Sequence, residues 1–406
     1  MQLCLTKGAT RHLVKGAFLL FALASVASAT PRTPSNDSEV LERLPLRPTD
    51  SAARELATLR ATARQKPTDA LAVVPLAQRY FELAAARGDP RYLGYAEAVL
   101  QPFNATPTAE VHLVRGQLRQ YRHDFDGALA DFAAALALNP DLASAHAWRG
   151  AIYLVRMDNT AARKECAALQ NLRRNTLLGG CLGLAQAYSG QLAGAYATLT
   201  HALAGASDPD NQLWLLTRLA EVAAWQGQTS LAERHYREAL ALSRDDVYLL
   251  AAWADFLLDT QRPGEVVKWL SDWSASDSLL LRLTEAETTL KLPLAPRHLQ
   301  AMADRFAAAQ ARGDTTHRAE EARFQLHLRG DAAQALRLAR ANYQVQREPR
   351  DARVLLESAI AARDSAAAQS VRDWLRTSGF EDPRLRQLGQ ASVQPGSAPT
   401  PLVKTP

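Results

Sequence analysis

Once the first 29 residues are set aside, Cys166 and Cys181 are the residues best suited to covalent chemistry. They flank "NLRRNT", residues 171–176, at equal distances from its midpoint. Two residues equidistant from the turn of an antiparallel helical hairpin sit at the same height, so their side chains can meet. An oxidising exported compartment favours a disulfide between them. Two buried thiols are the alternative, because cysteine also serves as a small core residue. A C-x-x-C spacing is missing, so either role is structural rather than redox.

Other strings hold reactive residue types without a reactive arrangement. His123-Asp124-Phe125-Asp126 has a metal-ligand composition, but it falls on a turn between two helices, where Asp126 can cap the second one. His317-Arg318-Ala319-Glu320-Glu321 lacks the second histidine of a zincin and reads as a solvated charged face. Gly179-Gly180 opens a helix and suits close packing. No G-x-S-x-G, P-loop or G-x-G-x-x-G is present, and the nine histidines are scattered singly. We expect no catalytic residue, no metal and no cofactor.

The ends of the chain bound its setting. Lys7, Arg11 and Lys15 precede the apolar run "AFLLFALASVA" and the small-x-small triplet Ala27-Ser28-Ala29. That is the form of a cleaved export signal over residues 1–29, and the run is well short of the ~20 residues that span a bilayer. A periplasmic or secreted protein starting near Thr30, without stable membrane insertion, is the expectation. The formal charge is +5, of which the signal supplies three positives and no acid, so the rest is near +2. No cluster of five or more basic residues appears, which argues against a nucleic-acid partner.

Between a polar, Pro-rich leader (30–49) and a tail expected to be disordered (389–406), the chain is rich in Ala, Leu, Arg and Glu at helical spacing. It also repeats. Gly116, Ala128 and Ala135 recur in register as Gly150 and Ala162, then Gly183, Ala195 and Ala202, then Ala220, Ala232 and Ala239. Unit starts at 109, 143, 176, 213 and 247 give a period near 34, the signature of a helical solenoid. Gly116, Ala128, Phe132, Ala135 and Pro140 resemble the consensus of the tetratricopeptide repeat family, although His112 stands where an aromatic is usual. The resemblance implies an all-α, right-handed α-α superhelix of antiparallel helix pairs, with small residues where helices cross. The array spans residues 109–280, with divergent helical repeats at 50–108 and 281–388. We count five recognisable units and four divergent ones, with a bend near Pro293 or Pro296.

In that family the first helices line a concave groove, and their inward positions map here to Gln117, Gln120, Tyr121, Leu184, Tyr188, Trp214, Arg218, Glu221, Trp225, Tyr248, Asp255 and Asp259. A groove with aromatics and few lysines suits an extended peptide or a partner helix. Trp214 and Trp225 have the alternative of filling gaps between irregular units. The positions that grip a peptide C-terminus in the carboxylate-clamp subtype hold Leu113, Gln117, Ala147 and Trp148, which argues against that mode. The resemblance therefore implies a non-catalytic exported scaffold for a protein or peptide partner. The alternative is an accessory subunit of an envelope machine, such as polysaccharide export or outer-membrane assembly.

Overall fold

The computed structural model describes residue 36, residues 51–242 and residues 245–392. The export signal, almost all of the leader and residues 393–406 of the tail lie outside the described residues. Residues 54–406 form one unit, to which the following description applies.

Every regular element among the described residues is helical. After α1 (Ser51–Gln65) the helices come in pairs joined by short turns, so partners run antiparallel. The first pair is α2 (Ala70–Arg87) and α3 (Arg91–Leu100). Next come α4 (Ala109–Tyr121) with α5 (Phe125–Leu138), and α6 (Ala143–Val155) with α7 (Asn159–Asn171). They are followed by α8 (Asn175–Tyr188) with α9 (Leu192–Ala204), and α10 (Pro209–Trp225) with α11 (Thr229–Ala241). The sixth and seventh pairs are α12 (Val247–Asp259) with α13 (Pro263–Leu270), and α14 (Asp277–Leu290) with α15 (Ala295–Ala311). The last are α16 (Arg318–Phe324) with α17 (Ala332–Tyr343), and α18 (Pro349–Ala361) with α19 (Gln369–Ser378). A single helix, α20 (Pro383–Ala391), follows and runs into the segment expected to be tail.

One turn chemistry unites all nine pairs. Gly88, His123, Met157, Gly190, Gly227, Gln261, Lys291, Gly330 and Arg363 each close the first helix of a pair with φ between 55° and 82°. The left-handed residue lets the next amides turn back onto the helix end: His123 N–H donates to Gln120 O and Asp124 N–H to Arg119 O. Five of these nine residues are not glycine, so the turn is invisible to a search for glycine alone. The result is an all-α, tetratricopeptide-like solenoid.

The recurrent small residues hold the crossings. In α5, Phe125, Ala128, Phe132 and Ala135 lie on one buried face, and Asp124 caps the helix by accepting from Gly127 N–H at 3.1 Å. A methyl on Gly116 would lie 2.5 Å from the Phe132 ring, one on Gly179 2.4 Å from Ala202, and one on Gly183 2.6 Å from Leu199. Bulk there would push the helices apart. Between α7 and α8 a Cys166–Cys181 disulfide is in place, with Cα atoms 5.7 Å apart. Closing a 15-residue loop stabilises by about 3 kcal/mol in the chain-entropy model.

The array returns on itself. Leu184, Leu199, Leu215 and Leu219 of the fourth and fifth pairs share one apolar core with Leu355 of α18, Phe380 of the connection between α19 and α20, and Leu385 of α20. Arg347 N–H, in the loop before α18, donates to the carbonyl of Val155, the last residue of α6, at 2.8 Å, a main-chain bond between residues 192 apart in sequence. The inner face expected as an open groove is therefore occupied along part of its length by the chain's own C-terminal segment.

Gly116→Val should destabilise by about 1–3 kcal/mol through overpacking against Phe132. Gly94→Val, where an added methyl meets nothing within 4 Å, should be neutral or slightly stabilising. Thermal melts of the two variants separate them. Equal losses would contradict the crossing argument.

Candidate functional site

Trp214, Arg218, Glu221 and Trp225 follow one another at four, three and four residues, and Asp255 and Asp259 at four. Each set therefore forms a single stripe along α10 or α12. Glu221, Trp225, Asp255 and Asp259 of these stripes, with Tyr188 at the end of α8, build one wall of a cavity of about 340 Å³. The other wall is the returning chain: Glu348, Pro349, Arg350 and Arg353 at the start of α18, and Asp382, Pro383, Arg384 and Leu385 at the start of α20. Arg282 of α14 also reaches it.

Local chemistry fixes the second wall. Asp351 accepts from Glu348 N–H at 3.0 Å, forming a capping box that orients the first turn of α18. Asp382 caps α20 by accepting from Leu385 N–H at 2.9 Å. Turn glycines receive the connection between α19 and α20: a methyl on Gly190 would lie 2.0 Å from Ser378 O, and one on Gly227 3.8 Å from Pro383. At Gly190 only a residue without a side chain fits.

Across the cavity the polar groups hold one another. Tyr188 donates to Glu348 at 3.1 Å. Arg218 donates to Glu221 at 2.8 Å and to the Tyr248 hydroxyl, which itself donates to Glu221 at 2.7 Å. Two guanidinium groups lie over the Tyr248 ring, Arg218 at 4.3 Å and Arg350 at 5.6 Å from its centroid. Asp255 accepts from Arg282 at 2.9 and 2.6 Å and from Arg323 at 2.6 Å. Asp259 pairs with Arg353 at 2.9 Å and with Arg384.

These contacts set the charge states. Burial alone would raise the Asp255 carboxyl, but Arg282 and Arg323 outweigh it and hold it well below the usual carboxylate range. Burial also opposes ionisation of Glu348, and Arg350 and Arg218 reverse the balance. Burial pushes the hydroxyls of Tyr188 and Tyr248 up, so both stay neutral donors. Asp351 and Asp382 go the other way: burial wins over Arg350 at Asp351, whose carboxyl is pushed up to about 7, and burial also raises the carboxyl of Asp382 against its main-chain donors. The cavity thus presents fixed donors, fixed acceptors and the rings of Trp225 and the tyrosines. Among the described residues, no group of three His, Cys, Asp or Glu side chains is placed to hold a metal ion.

Six of the twelve inward residues expected from the sequence line this cavity: Tyr188, Glu221, Trp225, Tyr248, Asp255 and Asp259. Arg218 stands directly behind Glu221 and Tyr248. The other five are elsewhere. Leu184 is in the apolar core, and Trp214 packs over Gly180, where an added methyl would meet its ring at 2.0 Å. Gln117 is buried with its Oε1 unpartnered, Gln120 is half-buried, and Tyr121 donates to Ala84 O at 3.4 Å. Trp225 packs on Tyr188 and on Phe380, with centroids 6.0 and 5.5 Å away.

Two readings of charged strings change. The cap of α5 is Asp124, while Asp126 pairs with Arg156 at 2.8 Å. The Glu320-Glu321 pair is not a solvated face: Glu321 is buried and Gln310 donates to it. The arginines of the second wall carry no local sign in the sequence. Their one distant sign is the acids Glu221, Asp255 and Asp259 on an inward stripe, which call for cations opposite.

No family model matches the chain, and no curated protein matches it. Among solved structures, the P58(IPK) TPR domain aligns over 84% of this chain and 92% of its own, at 14% identity. Its TM-score is 0.23, too low to bear on the fold, which rests on the helix pairs themselves.

A buried carboxyl at about 7 binds its proton more tightly in the folded chain than in the unfolded one, where the ordinary value is 3.8. The stability from this group is present below pH ~4 and lost as pH rises to about 7. Asp351→Asn should therefore raise the melting temperature at pH 8 and leave it little changed at pH 4. A fall at pH 8 would show that the ionised carboxylate is a net stabiliser.

Proposed function

We propose that the protein is an exported, non-catalytic scaffold that holds a segment of a protein partner in the cleft between its inner helices and its C-terminal wall. The observation that supports this most is the convergence of three successive first helices and the returning chain on one cavity. Its lining combines aromatic contact area with polar groups fixed in place, the makings of a binding site. Tyr188 and Tyr248 kept neutral and Asp255 and Glu348 kept ionised suit recognition rather than proton transfer near neutral pH. Export rests on the form of residues 1–29, and the near-neutral remainder offers no long-range attraction for phosphate chains. No helix among the described residues is long and apolar enough to cross a membrane.

A photo-crosslinking residue at Ala252, which lines the cleft, tests this in intact cells. It should give a discrete protein adduct recovered from the exported fraction, on a chain that begins near Thr30. The same residue at Lys164, exposed on α7, should not give that adduct. Matching adducts from both positions, or none from Ala252, would contradict the cleft as the binding site. A chain that retains Met1 would contradict export.

A further inference from the structure

The charges around the cleft balance. Five carboxylates and four guanidinium groups line the cavity; Arg218 behind Glu221 makes the numbers even, and Arg323 behind Asp255 is itself matched by Glu285. A charged ligand entering here would give up its hydration to face charges that are already matched. Nothing in the wall offsets that desolvation. A neutral chain with its own donors and acceptors meets no such penalty. Paired carboxylates keep spare lone pairs for N–H groups, and an arginine offers five N–H donors.

Arg350 has the most to give. Its side chain is 53% exposed, and its Nη2 is the atom bonded to Glu348, at 2.8 Å. The cavity volume is at the low end for ligand pockets, enough for a stretch of a few residues. The array already bonds main chain of the returning segment at one point. Glu348 has φ −68° and ψ 163°, and the amide before it, that of Arg347, donates to Val155 O at 2.8 Å. That precedent favours a polypeptide over other neutral polymers.

We propose that the cleft holds an uncharged, extended stretch of a few residues of its protein partner, with Arg350 donating to main-chain carbonyls and setting the charge selectivity. This rests on the cleft being the binding site. A charge-reversing variant then changes what is selected, and does not merely weaken it.

The test is panning of a random octapeptide library against the full chain, with circular dichroism to confirm that each variant is folded. Peptides retained by the native chain should have uncharged central positions. Arg350→Glu should shift those positions towards Lys and Arg. Arg350→Gln, which keeps the size, should weaken binding roughly tenfold or more without a shift. Arg376→Glu, on an arginine of α19 that is 76% exposed, should change neither. Charged centres selected by the native chain would overturn the proposal. So would an unchanged preference in Arg350→Glu, if Trp225→Ala still abolishes binding; the cleft reading would then stand. Peptide binding indifferent to both Arg350→Glu and Trp225→Ala would overturn the cleft itself. Retention of a neutral maltooligosaccharide with quenching of tryptophan fluorescence, and of no peptide, would assign the site to glycans and overturn the polypeptide assignment.

Discussion

Asp255 and Asp259 place two carboxylates on the inward face of α12, where a charge taken from water must be matched or it costs several kcal/mol. No cation of α12 itself can meet them. The arginines that do, Arg282, Arg323, Arg353 and Arg384, come from α14, α16, α18 and α20. Matching these two acids therefore draws the C-terminal helices onto the inner face. The register of the second wall, and with it the lining of the cavity, follows from that pairing.

The free energy of closure has another source. Leu355, Phe380 and Leu385 are almost fully buried against Leu215 and Leu219, and each large apolar side chain removed from water contributes about 1.5–3 kcal/mol. Buried ion pairs add less, because desolvation offsets most of the attraction. Their effect is on register. If the returning chain docked one helical turn away, Asp259 would lose both of its partners, Arg353 and Arg384, a larger loss than an apolar surface suffers from sliding. The close approach of Gly190 to Ser378 O fixes the same register sterically.

Much of the array was legible because a crossing constrains residue size at a fixed period. Gly116, Gly183 and their counterparts are small because Phe132 and Leu199 occupy the space a side chain would need. The midpoint argument for Cys166 and Cys181 worked for a similar reason: a short turn fixes the height of both residues. The inward positions implied by the family resemblance also include Tyr188, Glu221, Trp225, Tyr248, Asp255 and Asp259, which line the cavity. The resemblance did not show what faces them, since a repeat contacts its sequence neighbours predictably but a distant unit only through cumulative curvature. Trp214 shows the same limit. Its inward position in the repeat is real, but Gly180 in the preceding first helix leaves a gap that its ring fills.

The central claim is that the inner face is closed by the chain's own C-terminal segment. Native-state hydrogen exchange at the Arg347 amide tests it most directly, because that N–H lies in the loop between α17 and α18 and its acceptor, Val155 O, belongs to another pair. In a closed array it should be protected nearly as well as amides in the core of α10, opening only with larger-scale unfolding. Exchange at the rate of an ordinary exposed loop amide, with α10 still protected, would mean that the array stands open and the second wall is not in place.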